Sequence, residues 1–274
     1  MFSLQVWMAR SLVFRLPEYA SLWRTLVVQE FTVRYRGTLL GRAWPLLMPL
    51  MLLGIYGFVF GAVFRARWPG LADDDHLGFS LNLFLGLLIH GLLAETVGTA
   101  PGLMQRNANF VRKMVFPLPL LVAVPIGNAL IHMGFGLILV ILIGGIWGQG
   151  FHVATLALPL ILLPYVVMLY GMSLVFSALG VYVRDLAQIT TILVMLALFT
   201  GTVFFPREMV PGVLVGVVDY NPISWPIEAA RGAVLLGNWP DLASMGTYTL
   251  AALCMAGLGA YVFSVLRRGF ADVL

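Results

Sequence analysis

What most constrains this chain is a series of apolar stretches, each about twenty residues long, recurring between residues 45 and 266 with short polar joints between them. A hydrocarbon layer about 30 Å thick needs roughly 20 apolar residues per helix, since no water is present there to satisfy unpaired backbone groups. The stretches therefore read as membrane spans. Burial in an aqueous core does not account for them: 61% of residues are apolar and 10% charged, and the mean hydropathy is +0.96, far from soluble composition. The expected fold is all-α and polytopic, with spans over 45–64, 79–98, 120–147, 155–182, 189–205 and 245–266. Pro125 should kink or tilt the third.

One transmembrane domain covers the chain. Residues 1–44 form an interface segment, 45–205 the first five spans, 206–244 an outer gate region, 245–266 the sixth span and 267–274 a tail. The gate region holds prolines, acids and two moderately apolar pieces too short to cross, which read as re-entrant or interfacial helices. Twelve of the sixteen Lys and Arg fall on the side of the two termini, so both termini are expected in the cytoplasm. The opening MFSLQVWMARSLVFRLP lacks a basic leader region, and Arg10 and Arg15 break its apolar run, which reads as mature chain lying at the interface.

Several functions are argued against. Cys254 stands alone, without a disulfide framework or a thiolate metal site. The basic residues sit at segment ends and form no aromatic-interleaved patch for nucleic acid. No phosphate-cradling lysine loop is present, so any ATP hydrolysis belongs to another chain. The run Asp73, Asp74, Asp75, His76 offers cation ligands, but consecutive side chains splay, and a solvated loop explains it better. Within spans, His90, Glu95 and His132 are the costly ionisable residues and so functional candidates. His90 and Glu95 read as isolated groups, short of the coupled set that a membrane-embedded transferase needs.

Other features point to transport. Leu22, Trp23, Leu26, Val27, Phe31 and Tyr35 recur at three- and four-residue steps among polar residues, an amphipathic helix at the interface or packed on a partner. Tyr56, Phe58, Phe60, Phe64, Phe84, Phe199, Phe204 and Phe205 cluster in the outer halves of three spans. Their flat faces suit sugar C–H edges, although lipid contact and helix packing also use rings. The segment QRNANFVRKMVFP (105–117) combines polar, basic and apolar residues as a docking helix would, and it also carries the topological charge. Glu228 and Arg231 stand at i, i+3 beyond Asn221-Pro222 and Trp225-Pro226, able to pair on one helix face.

Taken in order, RYRGTLLG (34–41) with Trp44 and Pro49, NANFVRKMVFP (107–117), VRD (183–185), FFP (204–206), NPI (221–223) with Glu228 and Arg231, and the tail RRGFADVL resemble the polysaccharide-exporting type-2 ABC permeases, which include O-antigen and teichoic-acid exporters. That resemblance implies a homodimer of six-span subunits in the bacterial inner membrane. Two nucleotide-binding ATPase subunits would sit beneath it, with ATP and Mg bound there and no cofactor in this chain. The substrate would be an undecaprenyl-linked polysaccharide.

The resemblance also assigns residues. Trp23, Arg34, Tyr35, Arg36 and Gly37 would form the cytoplasmic entrance, and Arg106, Asn107, Asn109, Phe110, Arg112 and Lys113 the ATPase coupling helix. Tyr56, Phe60, Phe84, Phe199, Phe204 and Phe205 would line the substrate path, and Asn221, Pro222, Trp225, Glu228 and Arg231 the periplasmic gate. One departure is that 86–96 reads GLLIHGLLAET, without the Pro-Trp and aromatics common there in the family. A permease for drugs or lipids is the alternative within the class, and a polytopic glycosyl- or acyltransferase the alternative outside it.

Overall fold

The computed structural model describes residues 2–63, 68, 75–113, 116–147 and 150–274. Among these the structure is helical, without strands. Four helical stretches are long and apolar enough to cross a membrane, His76–Arg106, Leu118–Trp147, Val153–Tyr182 and Leu242–Gly269, and two shorter apolar ones accompany them, Trp44–Phe60 and Leu186–Thr200. All six positions expected for spans are thus apolar helix, two of them shorter than a full crossing.

The N-terminal helix α1 (Phe2–Tyr35) is continuous over 34 residues. Its apolar stripe is the face turned to the protein: Val27 is buried, and Leu22, Trp23, Leu26, Phe31 and Tyr35 are half-buried. The stripe packs on α6 (Leu118–Trp147), so the helix docks on a long apolar helix of the same chain. Gly37 and Gly41 then turn the chain at φ 79° and 49°, backbone that a side chain would strain.

The first expected span starts as α2 (Trp44–Tyr56), with Pro45 in its first turn, and continues as a π-helical segment, Gly57–Val63. Gly57 makes this widening fit, because a Cβ there would stand 3.3 Å from Ser80 Oγ on the next helix. Arg65, Arg67, Phe64, Asp73 and Asp74 lie outside the described residues. Asp75 is the N-cap of α3 (His76–Thr96), accepting from Gly78 N at 2.7 Å, so this acid serves a helix start.

Helix α3 is the centre of the molecule: Phe79 to Gly86 are all buried, and α2, α6, α7 (Leu158–Tyr182), α8 (Leu186–Thr200) and α10 (Ser224–Leu235) pack around it. After two short helices, α4 (Leu103–Arg106) and α5 (Ala108–Lys113), come α6 and α7 (Leu158–Tyr182). Helix α11 (Leu242–Leu266) crosses α7 backbone to backbone. A Cβ on Gly171 would come within 2.6 Å of Met255 C and O, which accounts for the small residues at this crossing.

The fifth span departs from expectation. Helix α8 (Leu186–Thr200) ends at Thr200, and residues 201–206 are irregular although Gly201, Thr202 and Val203 are buried. Two helices follow, α9 (Val215–Asp219) and α10 (Ser224–Leu235); α10 is not a surface helix, since Pro226, Ile227, Ala230, Arg231 and Val234 are buried against α3 and α7. The chain ends in α12 (Phe270–Val273), where Phe270 packs with Phe263 and with Leu103 and Met104. Helices α4 and α5, the turn after Tyr182 and the C-terminus therefore share one end of the bundle, and residues 201–241 occupy the other.

Candidate functional site

At the end that carries the termini, α1 is tied to the bundle by a polar chain. Arg34 donates to Glu95, whose second oxygen stands 2.9 Å from His132 Nδ1, and Tyr35 Oη lies 2.9 Å from His132 Nε2. Both contacts are satisfied when Nδ1–H donates to the carboxylate and the phenol donates to Nε2. Glu95 and His132 are therefore not isolated: they are one unit with two residues of the expected entrance. Phe31 adds a ring contact to His132 at 5.9 Å. About three helical turns before Arg34, Trp23 donates its indole N–H to Ala123 O at 2.9 Å. Trp23 and Val27 sit in a notch left by Gly127. Arg36 and Gly37 are exposed beyond this latch. His90 is separate and donates to Val194 O of α8 at 3.1 Å, bridging α3 and α8.

Above the polar chain a cavity of about 320 Å³ opens between α1, α2, α3 and α6. Its walls are apolar, with Pro49, Leu88, Phe84 and Met133 among them, and Arg34, Glu95 and His132 lie at one end. Phe84 is 1% exposed. It packs in the core of the bundle while also forming part of this cavity's wall. The others fall into two groups. Tyr56 and Phe60 are neighbours at 6.3 Å, and Phe60 continues to Phe79 at 6.0 Å. Phe199 stacks on Phe204 at 5.6 Å with Phe199 itself 55% exposed, and Phe205 is half-buried beside them in sequence.

The segment expected to couple to an ATPase is two short helices joined at Asn107, whose side chain donates back to Leu103 O at 2.9 Å. Arg106 reaches Thr99 O at 3.0 Å, Asn109 is exposed, and Phe110 packs on Phe116 at 5.1 Å. The side chains of Arg112 and Lys113 lie outside what is described.

At the opposite end Arg231 is the hub. It is 3% exposed, and its guanidinium donates to Asn82 O (3.0 Å), Thr202 O (2.5 Å) and Val203 O (2.8 Å), with Glu228 at 3.4 Å and the Trp68 ring 4.4 Å away. The expected Glu228 pair exists but is the longest of these contacts. Irregular backbone at span depth survives only where protein satisfies it, and here one planar fork does so. Gly86 makes the room, since a Cβ there would stand 2.8 Å from Arg231 Nη2. The departure noted at 86–96 thus begins on a residue with a packing reason.

Asn221 closes the same knot, donating to Ala197 O and Thr200 Oγ1 and accepting from Ile223 N. Pro222 O accepts from Tyr248 Oη at 2.7 Å, and Trp225 stacks on Tyr248 at 4.6 Å. Further out, Arg207 clamps Asp219 through two bonds of 2.5 and 2.7 Å. The guanidinium holds the Asp219 carboxyl below the usual carboxylate range. The stabilisation is present above the ordinary aspartate pKa and fades as pH falls through the lowered one; exposure of both groups keeps it small.

Sequence reasoning finds Arg34, Glu95 and His132 singly but not their pairing, and for Arg231 it finds Glu228 but not the carbonyls that hold it. Carbonyl acceptors carry no residue signature, and Trp68 and Tyr220 lie outside any periodic pattern.

Comparison with known proteins adds the following. Residues 21–235 match the family described as ABC-2 type transporter. An O-antigen export system permease protein RfbA from Klebsiella pneumoniae is 24% identical over 258 residues, covering 90% of this chain and 92% of that protein. One from Myxococcus xanthus is 27% identical, covering 95% and 98%. The polysialic acid transport protein KpsM of Escherichia coli is 22% identical over 87% and 90%.

Proposed function

The chain belongs to the ABC-2 type transporter family, and from that premise we propose that it is the permease subunit that exports an O-antigen-like, lipid-linked polysaccharide. The observation that carries the reading is end-to-end similarity to permeases named for O-antigen export, with 95% of this chain and 98% of the relative covered in one case. In this reading two copies enclose a pore in the bacterial inner membrane, both termini face the cytoplasm, and six segments cross, the first and fifth with helices short of a full span. Each copy rests on an ATPase subunit that binds ATP and Mg.

Within that frame the parts have distinct work. The exposed apolar faces of α2 (Leu46, Leu50, Ile55) and α8 (Ile192, Leu196, Phe199) supply surface for the second copy. Tyr56, Phe60, Phe199, Phe204 and Phe205 offer ring faces along which a polymer slides without its hydroxyls being fixed in sequence. The latch from Arg34 to His132 sets the position of α1 at the entrance for an undecaprenyl-linked substrate. The buried Arg231 knot keeps the outer hairpin, with Asn221, Pro222 and Trp225, as a stiff gate.

Deleting the gene should leave glycan on its lipid carrier in the inner leaflet, and plasmid-borne wild type should restore surface glycan. A deletion strain with normal surface glycan overturns the proposal. A second prediction concerns coupling. Reversing charge at Arg112 and Lys113 (both to Glu) should reduce export at least tenfold while ATP hydrolysis by the purified complex persists, if this loop docks on the ATPase. Export at wild-type level leaves the loop a topology signal only.

A further inference from the structure

The end of the bundle that carries residues 201–241 holds two clefts on either side of one ring. Tyr220 is 92% exposed and borders both. The larger cleft, about 670 Å³, is bounded by polar side chains, among them Asp219, Glu228, Ser244 and Thr247. The smaller, about 570 Å³, runs over Val213, Val217 and Pro222. Both volumes lie within the roughly 300–1,000 Å³ of small-ligand sites.

Three features narrow the ligand. An exposed phenol ring, open on both faces, costs hydration unless something apolar and flat covers it, and a pyranose C–H face does so while its hydroxyls stay polar. The larger cleft supplies carboxylates and hydroxyls that suit hydroxyl partners. Among its described lining residues the one guanidinium is that of Arg207, and Asp219 already takes two of that group's N–H donors at 2.5 and 2.7 Å. Ser224, 5% exposed and bordering the same cleft, has an Oγ without a partner among the described residues. A phosphate headgroup or an acidic sugar would meet more carboxylate than free positive charge.

We infer that these clefts form a binding site for a neutral glycan segment, with Tyr220 as the platform over which the chain passes from one cleft to the other. The inference rests on the export reading and adds a place and a preference to it: sugar units emerging from the gate are held by their uncharged faces. A ridge between two clefts suits a polymer better than a single sugar, because adjacent units then contact opposite sides of one ring. Glu228 links the site to the gate, since it lines the larger cleft and pairs with Arg231.

The test is saturation-transfer NMR on the permease–ATPase complex in lipid nanodiscs, using maltotriose, mannotriose and galactotriose as neutral probes and trigalacturonate as the acidic one. At least one neutral trisaccharide should bind, with affinity roughly two- to tenfold weaker in Tyr220→Ala, the scale of one lost aromatic contact. Thr247→Phe, which fills the larger cleft from an exposed position, should weaken it also. Tyr220 is so exposed that its removal leaves the fold intact, and an unchanged melting temperature checks this. Absence of neutral binding, stronger binding of trigalacturonate, or indifference to both variants overturns the inference. So does a Tyr220→Ala variant whose only change is weaker retention of surrounding lipid, which makes the ring an interfacial anchor. If surface glycan depends on the gene while no trisaccharide binds, this site fails and the export reading stands. Gene-independent glycan fails the reading itself.

Discussion

Arg231→Met should lower the stability of the purified protein by about 3–5 kcal/mol, the cost of removing one side of a buried charged contact. In a detergent melt this amounts to a fall on the order of 10 °C. The size follows from what the side chain holds. Asn82 O, Thr202 O and Val203 O all accept from one guanidinium, so its loss leaves three carbonyls without that donor where α8 has ended and α3 passes. Methionine keeps much of the volume but donates nothing. Arg231→Lys separates charge from geometry: an ammonium keeps the positive charge beside Glu228 but lacks the planar fork that spans carbonyls of two segments. We expect Lys to recover less than half of the loss. A Met variant that melts within about 2 °C of wild type would show that the knot is not structural.

That residue also marks how far the sequence speaks. The i, i+3 spacing of Glu228 and Arg231 was visible, and the pair forms, at 3.4 Å. Yet spacing suggests a weak pair on one helix face, and the structure has a buried arginine whose main partners come from residues 82, 202 and 203. Those partners are backbone, and any residue type supplies a carbonyl. The fifth span shows the same gap. Hydropathy runs on to Phe205, but the helix stops at Thr200, because Arg231 and Asn221 satisfy a broken backbone that composition reads as more helix.

The N-terminal helix was more legible. The three- and four-residue recurrence from Leu22 to Tyr35 is the very face that becomes buried, since an apolar stripe must find apolar cover. What covers it was not legible. Docking on α6 depends on a glycine at 127, on Ala123 offering a carbonyl, and on Glu95 and His132 arriving from separate spans. The surroundings of Phe84 were not legible either: the sequence marks a ring in an apolar stretch, and packing in three dimensions puts it at 1% exposure.

The notch at Gly127 gives the sharpest test of what α1 does. A Cβ there would stand 2.6 Å from Val27 Cγ2 and 2.7 Å from Trp23 Cζ2. Both belong to the same helix, and Trp23 is held by its bond to Ala123 O, so neither can swing clear without α1 moving. Gly127→Leu adds further bulk, and overpacking of this kind costs on the order of 1–3 kcal/mol. The bundle interior is fixed by many contacts, whereas α1 is held on one face, so the strain should be relieved by lifting α1. Amide exchange over residues 18–36 is expected to quicken roughly tenfold to a hundredfold, as a local opening of that cost implies. The Arg34, Glu95, His132 and Tyr35 chain should open with it. Gly134→Leu is the control, two turns along the same helix with nothing within 4 Å of a Cβ, and should leave exchange unchanged. If the docked helix sets the entrance, Gly127→Leu should also cut glycan export in the complemented deletion strain, with the protein still present in the membrane. Faster exchange with full export would mean that docking is structural, and the entrance role of α1 would have to be withdrawn.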